Sequence, residues 1–430
     1  QKMRLLIKNG HVVDPANNVN DTRDILIEDT KIFKTAKDIK EKTDKVIDAT
    51  DRIVMPGIVD MHVHLREPGR EDKETVETGT KAALKGGITS SLAMPNTQPA
   101  IDCVENVKLL KNIIKKTACA NVFICTAITK ERLGKEITDI VKLKKEGALA
   151  ISDDGASVDS DQVFLEALKQ AKKQNILLIC HSEDKSLSGK GVVNLGIIST
   201  RLGLRGIPNE SEYKRVQRDI QLAQKLDAAI HIAHVSCKES IELIAKAKKI
   251  GTKVTAETAP HYFFFSEDVL LGYDTNFKVN PPLRTKDDIE AIKQGLKSGI
   301  IDVIASDHAP HTVNEKDVEF ERAEFGTIGL ETELAACISN LISPGVLDWL
   351  DLVKKLAVNP AKILGIDKGT LTKGKDADII IVDPKAQWQV LEEGFVSKSK
   401  NSAFMGKKLK GIVEYTILGG RIAYKHTNLH

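Results

Sequence analysis

The chain lacks any C-x-x-C pair. Its six cysteines (Cys103, Cys119, Cys125, Cys180, Cys237 and Cys337) are scattered through 430 residues. Several sit in apolar runs, such as Ile124-Cys125 and Ile179-Cys180, so free buried thiols in a reducing compartment are expected rather than a disulfide framework. Long apolar runs are missing as well. None approaches the roughly 18 residues of a membrane span. The opening Gln1-Lys2-Met3-Arg4-Leu5-Leu6-Ile7 has no apolar core of a secretory leader, so a cytoplasmic location is expected. Strong net charge is absent too. Lys and Arg number 63 against 60 Asp and Glu, leaving +3, which gives no case for nucleic acid or a membrane surface as partner. Lys-rich pieces such as Lys142-Leu143-Lys144-Lys145 read as solvated helix faces.

What is there suffices for a full core. Hydrophobic residues are 41% and charged residues 29%, as in soluble globular proteins. The length suits a large α/β barrel plus a smaller unit. Residues 1–54 carry short strands between polar turns: Leu5-Leu6-Ile7 ahead of an Asn9-Gly10 turn, then Ile25-Leu26-Ile27 and Val46-Ile47. Residues 366–430 have the same texture, in Ile379-Ile380-Ile381-Val382 and Ile412-Val413-Glu414-Tyr415-Thr416-Ile417. Strands at both ends predict one small β-sandwich built from both termini. Between them, residues 55–365 alternate apolar strands with amphipathic helices. The expected strands are Gly57–His62, Ile88–Met94, Val122–Thr126, Ala148–Ser152, Ile176–Cys180, Ala229–His234, Lys253–Thr258 and Ile301–Ser306. Expected helices include Val104–Lys116, Ile137–Lys145, Asp161–Lys173, Ser211–Leu226 and Ser240–Lys249. Eight such units predict a parallel (β/α)8 TIM barrel. Long connections follow strand five, Ser182 to Glu210, and strand eight, Ala309 to Gly329. Connections of that length usually carry function.

Candidate metal ligands gather at the strand ends. Strand one ends in His62-Val63-His64, and strand four runs into Asp153-Asp154-Gly155. Strand five ends at His181, strand six carries His231 and His234, and strand eight ends at Asp307-His308. Each piece alone is commonplace: an alternating strand, an Asp-Asp-Gly turn, a buried histidine. Together they bring His and Asp from five segments to the C-terminal rim, where such barrels keep their active sites. Imidazole and carboxylate suit Zn2+ best, and Mn2+ or Co2+ less uniquely. Four His and two Asp exceed one tetrahedral site and suit two metals bridged by a carboxylate and a hydroxide, a set for hydrolysing an amide or forming one.

Longer motifs give a family resemblance. Pro56-Gly57-Ile58-Val59-Asp60-Met61-His62-Val63-His64 resembles the opening of cyclic amidohydrolases. His62-Val63-His64-Leu65-Arg66-Glu67-Pro68-Gly69, Met94-Pro95-Asn96-Thr97, Ser152-Asp153-Asp154-Gly155, Asn280-Pro281-Pro282-Leu283-Arg284, Ser306-Asp307-His308-Ala309-Pro310-His311 and Phe325-Gly326-Thr327-Ile328-Gly329-Leu330-Glu331-Thr332 narrow it to bacterial-type class I dihydroorotase. The resemblance implies two zinc ions per subunit. His62, His64 and Asp307 would hold the first and His181 and His234 the second, with Asp154 and a hydroxide bridging. Many relatives bridge with a carboxylated Lys; here Asp-Asp-Gly stands instead, and Asp153 competes with Asp154. Asp307 would be the catalytic proton carrier. His64, Arg66, Asn96, Asn280, His311, Phe325 and Gly326 would contact substrate, with Arg66 and Asn96 on a ring carboxylate. The implied reaction is reversible cyclisation of N-carbamoyl-L-aspartate to L-dihydroorotate in pyrimidine synthesis. A homodimer and association with aspartate carbamoyltransferase are expected alongside it. The rival readings are a dihydropyrimidinase-, hydantoinase- or allantoinase-type enzyme and an inactive dihydroorotase-like scaffold.

Overall fold

The structure, a computed structural model, describes residues 3–427. Gln1 and Lys2, which head the stretch read above for a leader, and residues 428–430 lie outside it. The chain opens with β1 (Arg4–Asp14), β2 (Val19–Glu28), β3 (Lys31–Ala36), β4 (Lys45–Asp48) and β5 (Ile53–Pro56). The barrel strands follow: β6 (Ile58–Val63), β7 (Ile88–Ala93), β8 (Asn121–Thr126), β9 (Ala148–Ile151) and β10 (Leu177–Cys180). After a short side ladder, β11 (Val193–Asn194) with β12 (Gly206–Ile207), come β13 (Ile230–Ile232), β14 (Val254–Thr258) and β15 (Val303–Ile304). The chain ends with β16 (Ile379–Gln389), β17 (Lys408–Leu418) and β18 (Arg421–Lys425).

All eight barrel strands lie where the sequence predicts them, and they pair in parallel in chain order from β6 to β15. The ends meet at a parallel bridge between Val63 and His308, reinforced by His64 N–H donating to His308 O at 2.9 Å. Every residue of β6 and β7 is buried. That explains their near-continuous apolar runs, since parallel strands are covered on both faces. The helices between strands have explicit stops. In the helix Asp161–Gln174, the Ser160 hydroxyl accepts from Val163 N–H, and Asn175 ends it in a left-handed turn. Two further helices, Val76–Lys85 and Lys286–Lys297, lie between β6 and β7 and between β14 and β15.

Both termini build the second sheet, in the order β18-β17-β16-β5-β1-β2-β3 with β4 also on β1. The register of β1 shifts between Ile7 and Gly10, where Asn9 has φ +61°, so β1 pairs with β4 before the bulge and with β5 after it. Its core includes Ile7, Ile25, Val54, Ile379, Ile381 and Ile417. The sheet takes in Met55 and Pro56, which pair with Ile380 and Ile379. None of the six cysteines is bonded, and four are buried. No helix among the described residues is long and apolar enough to cross a membrane.

Candidate active site

Six side chains meet at the C-terminal rim. His62 and His64, at the end of β6, direct Nε2 at Asp154 Oδ2 (3.3 and 3.4 Å) and at Asp307 Oδ1 (3.3 Å each). The other oxygen, Asp154 Oδ1, faces His181 Nδ1 at 3.3 Å and His234 Nε2 at 3.5 Å. Two groups thus share one carboxylate: His62, His64 and Asp154, and Asp154, His181 and His234. Asp153 is turned away. Its carboxylate accepts from the backbone N–H of Ile128 and Thr129 and from the Thr129 hydroxyl.

This set fits a cation. His62 Nε2 and Asp154 Oδ1 are buried without a hydrogen-bond partner, which is costly unless another group satisfies them. Burial works against charge on His62, yet Asp154, Asp307 and Glu257 outweigh it and hold its pKa well above the ordinary range. At His181, burial is outweighed by Asp154 and Glu183, which lift the pKa to about 9. The cavity therefore favours positive charge. Neighbouring side chains fix the rings. His62 Nδ1–H donates to Glu257 Oε1 (2.8 Å), His64 Nδ1–H to Asn96 Oδ1 (2.7 Å), and His181 Nε2–H to Glu183 Oε2 (3.0 Å). Such contacts orient imidazole ligands.

A cavity of about 370 Å³ opens over the cluster, and its lining includes Arg66, Asn96, Asn280, His311, Phe325 and Gly326. Arg66 is buried. Its Nε donates to Pro310 O at 3.0 Å, and burial draws its pKa down to about 10. Asn280 Nδ2 donates to Glu183 Oε2 at 3.1 Å. His311 is buried. Its Nε2–H donates to Phe325 O (2.8 Å), and its Nδ1 accepts from Lys73 (3.1 Å). Burial, with Arg66 and Lys73, pulls its pKa down to about 2, so it is a neutral imidazole. Gly326 has φ +147°, and a Cβ there would come within 2.8 Å of Ala309 O and 2.9 Å of His311 Nε2, so the close approach requires glycine. Arg66, His234 and Asp307 all have left-handed backbone, at φ +61°, +34° and +49°. Such strain costs about 1–3 kcal/mol per residue and is typical of functional sites.

Two rim histidines are used elsewhere. His231 Nδ1 pairs with the Thr255 hydroxyl, and His308 lies between Glu74 and the Gly329 N–H. Glu257 and His261 were missed from the sequence, although both follow from the rule applied to the other strands, because they sit at the exit of β14. His261 lines the cavity with Nε2 unpartnered, and burial draws its pKa to about 4. Glu183 lies two residues past His181. Lys73 had no local signal at all.

Solved structures place this architecture. L-hydantoinase from Arthrobacter aurescens superposes with a TM-score of 0.90, over 99% of this chain and 97% of its own, at 24% identity. A D-hydantoinase gives 0.87 over 98% and 95%, at 25%. The fold is the barrel of the cyclic amidohydrolases. A dihydro-orotase-like family model matches residues 51–240. Over 427 residues the chain is 54% identical to a dihydroorotase of Elusimicrobium minutum, covering 99% of both chains, and it is 48% identical over 424 residues to one of Geobacter metallireducens, covering 98% of this chain and all of that relative. The chain belongs to the dihydroorotase family.

Proposed function

We propose that the chain catalyses the reversible, zinc-dependent cyclisation of N-carbamoyl-L-aspartate to L-dihydroorotate, the ring-forming step of pyrimidine (UMP) synthesis. One observation carries the reading: the imidazole–carboxylate cluster and the Arg66 guanidinium line the same cavity, in a chain that is 54% identical to a dihydroorotase. His62, His64 and Asp307 would hold one zinc ion and His181 and His234 a second, with Asp154 shared between them. Zinc there would supply a nucleophilic water at neutral pH and a Lewis acid for the carbonyl.

The protein's own groups do the rest. Arg66 pairs with the ring carboxylate; its Nε is fixed on Pro310 O, and among the described residues its Nη1 has no hydrogen-bond partner. Asn96 accepts from His64 through Oδ1, which leaves its Nδ2 to donate to the same carboxylate. Asn280, His311 and the backbone of Phe325 and Gly326 close round the ring. In hydrolysis, Asp307 takes a proton from the attacking water and passes it to the ring nitrogen. Ring closure reverses the transfer. Its side chain is 13% exposed against 4% for Asp154, so it has the freer access to substrate. The proposal also includes a cytoplasmic homodimer that can associate with aspartate carbamoyltransferase. Light scattering with and without that enzyme tests both associations.

The zinc-loaded chain should turn over L-dihydroorotate with kcat/KM at least about 100-fold above that for uncharged dihydrouracil. Arg66→Gln should remove most of that preference, on the scale of a lost charge-assisted pair. A parent chain that prefers dihydrouracil would reject the reading. Glu257→Gln keeps the shape at His62 but removes the charge behind its ring. Zinc affinity, read by chelator competition, should fall about 10–100-fold; unchanged affinity would mean that Glu257 does not support the ligand.

A further inference from the structure

The C-terminal unit does more than cover the barrel. Between β16 and β17 the chain leaves the terminal sheet, and residues 396–403 run along the barrel's catalytic rim. On one side, the Ser397 hydroxyl and Lys398 N–H donate to the Glu74 carboxylate, which accepts from His308 Nε2–H at 3.0 Å. The Ser399 hydroxyl donates to Lys73 O at 2.6 Å, and Lys73 donates through Nζ to His311 Nδ1. On the other side, Ala403 N–H donates to the Thr327 hydroxyl at 2.8 Å.

Asn401 stands between the two. It is only 6% exposed. Its Oδ1 accepts from His311 N–H at 3.0 Å, and its Nδ2 donates to Ala309 O at 3.1 Å and to Gly326 O at 3.2 Å. Its backbone carbonyl accepts from Ile328 N–H at 3.0 Å. One side chain thus fills its acceptor and both its donors on backbone groups of two separate loops. One loop carries Asp307 and His311, the other Phe325 and Gly326. The two segments also meet directly, through Ala309 N–H donating to Thr327 O at 2.9 Å and His311 Nε2–H donating to Phe325 O at 2.8 Å, and Asn401 adds a third tie, from Ala309 O to Gly326 O.

We propose that Asn401 is a positioning residue of the active site: it reinforces the direct contacts between the loop after β15 and the Phe325–Gly326 turn, and so holds the width of the substrate cleft. The inference deepens the reading above and rests on it for the identity of the substrate. The C-terminal unit is then a working part of the site, although it contributes no group that touches substrate. A loose cleft loses orientation of the ring before it loses the metal cluster, because among the described residues no hydrogen bond of Asn401 goes to His62, His64, Asp154, His181 or His234.

The test compares the zinc-loaded parent with Asn401→Ala and Asn401→Asp. The Asp variant keeps the shape and the acceptor but sets a carboxylate oxygen against two carbonyls. Both variants should raise KM for L-dihydroorotate about 10-fold or more, with kcat within about 3-fold and zinc content unchanged. Amide hydrogen exchange should quicken across residues 308–312 and 324–329 and stay as in the parent across the barrel strands. A folded variant with parent-like exchange at both loops and KM within 2-fold would overturn the proposal. So would a variant that loses zinc and kcat together, which would mark Asn401 as general scaffolding. If the alanine variant does not fold, Ser399→Ala loosens the same segment and is read by the same exchange. A parent inactive on dihydroorotate would count against the substrate reading, while the exchange experiment would still decide the role of Asn401.

Discussion

Asp307→Asn should lower kcat for dihydroorotate hydrolysis by about 10³-fold, within the 10²–10⁴ range of a positioned acid–base group. At 25 °C that is about 4 kcal/mol of barrier. The amide matches the carboxylate in size, so the left-handed backbone at residue 307 and the bridge at His308 can persist. What disappears is a basic oxygen facing the cavity. Burial alone would raise the Asp307 pKa, but His62, His64 and His234 outweigh it and hold the carboxyl well below the ordinary range. The group is therefore ionised at neutral pH and ready to accept a proton. His62, His64 and Asp154 remain in the variant, so zinc content should stay close to the parent value. Turnover and zinc must be measured on one sample. A variant with full zinc and kcat within 10-fold of the parent would remove Asp307 from the proton step.

The residues of the site were legible in the sequence to different degrees. The barrel was plain because a parallel strand buried on both faces needs an uninterrupted apolar run, and eight such runs alternate with amphipathic segments. The six side chains that meet at the rim followed from position at strand exits. The resemblance favoured Asp154 over Asp153, and the physical difference between them is visible only in three dimensions. Both are buried, and only the partners differ: backbone amides for Asp153, imidazoles for Asp154. The segment at 396–403 was illegible for another reason. Ser397 meets Glu74 across 323 residues of chain, and no local periodicity encodes a contact of that separation. The long connection after β10 also holds more structure than its composition suggests. It contains β11, β12 and two short helices, and it is tied to the barrel through Arg284, which donates to Asn194 Oδ1 and Ile207 O at 3.0 Å each.

Asp154→Ala should have the widest effect of any single change. Each Asp154 oxygen faces a different pair of imidazoles, so one substitution empties a coordination position in both groups. Zinc content should fall to a small fraction of the parent's, and activity should fall below detection. Asp154→Asn should be milder in metal and equally dead in turnover, because an amide offers one acceptor oxygen where the carboxylate offers two. Thermal unfolding separates this from simple damage. Zinc that binds only the folded parent stabilises it by mass action, about 2.7 kcal/mol when free metal is a hundred times Kd. The parent Tm should therefore climb with added zinc, and the Asp154→Ala Tm should not. The metal-free variant should start from a lower Tm than the metal-free parent, because Asp154 there faces the rings of His62 and His181, whose pKa values it raises. The response of Tm to zinc, rather than its starting value, reports the lost metal position. A variant whose Tm still rises with zinc as the parent's does would show that the shared carboxylate is not what joins the two groups.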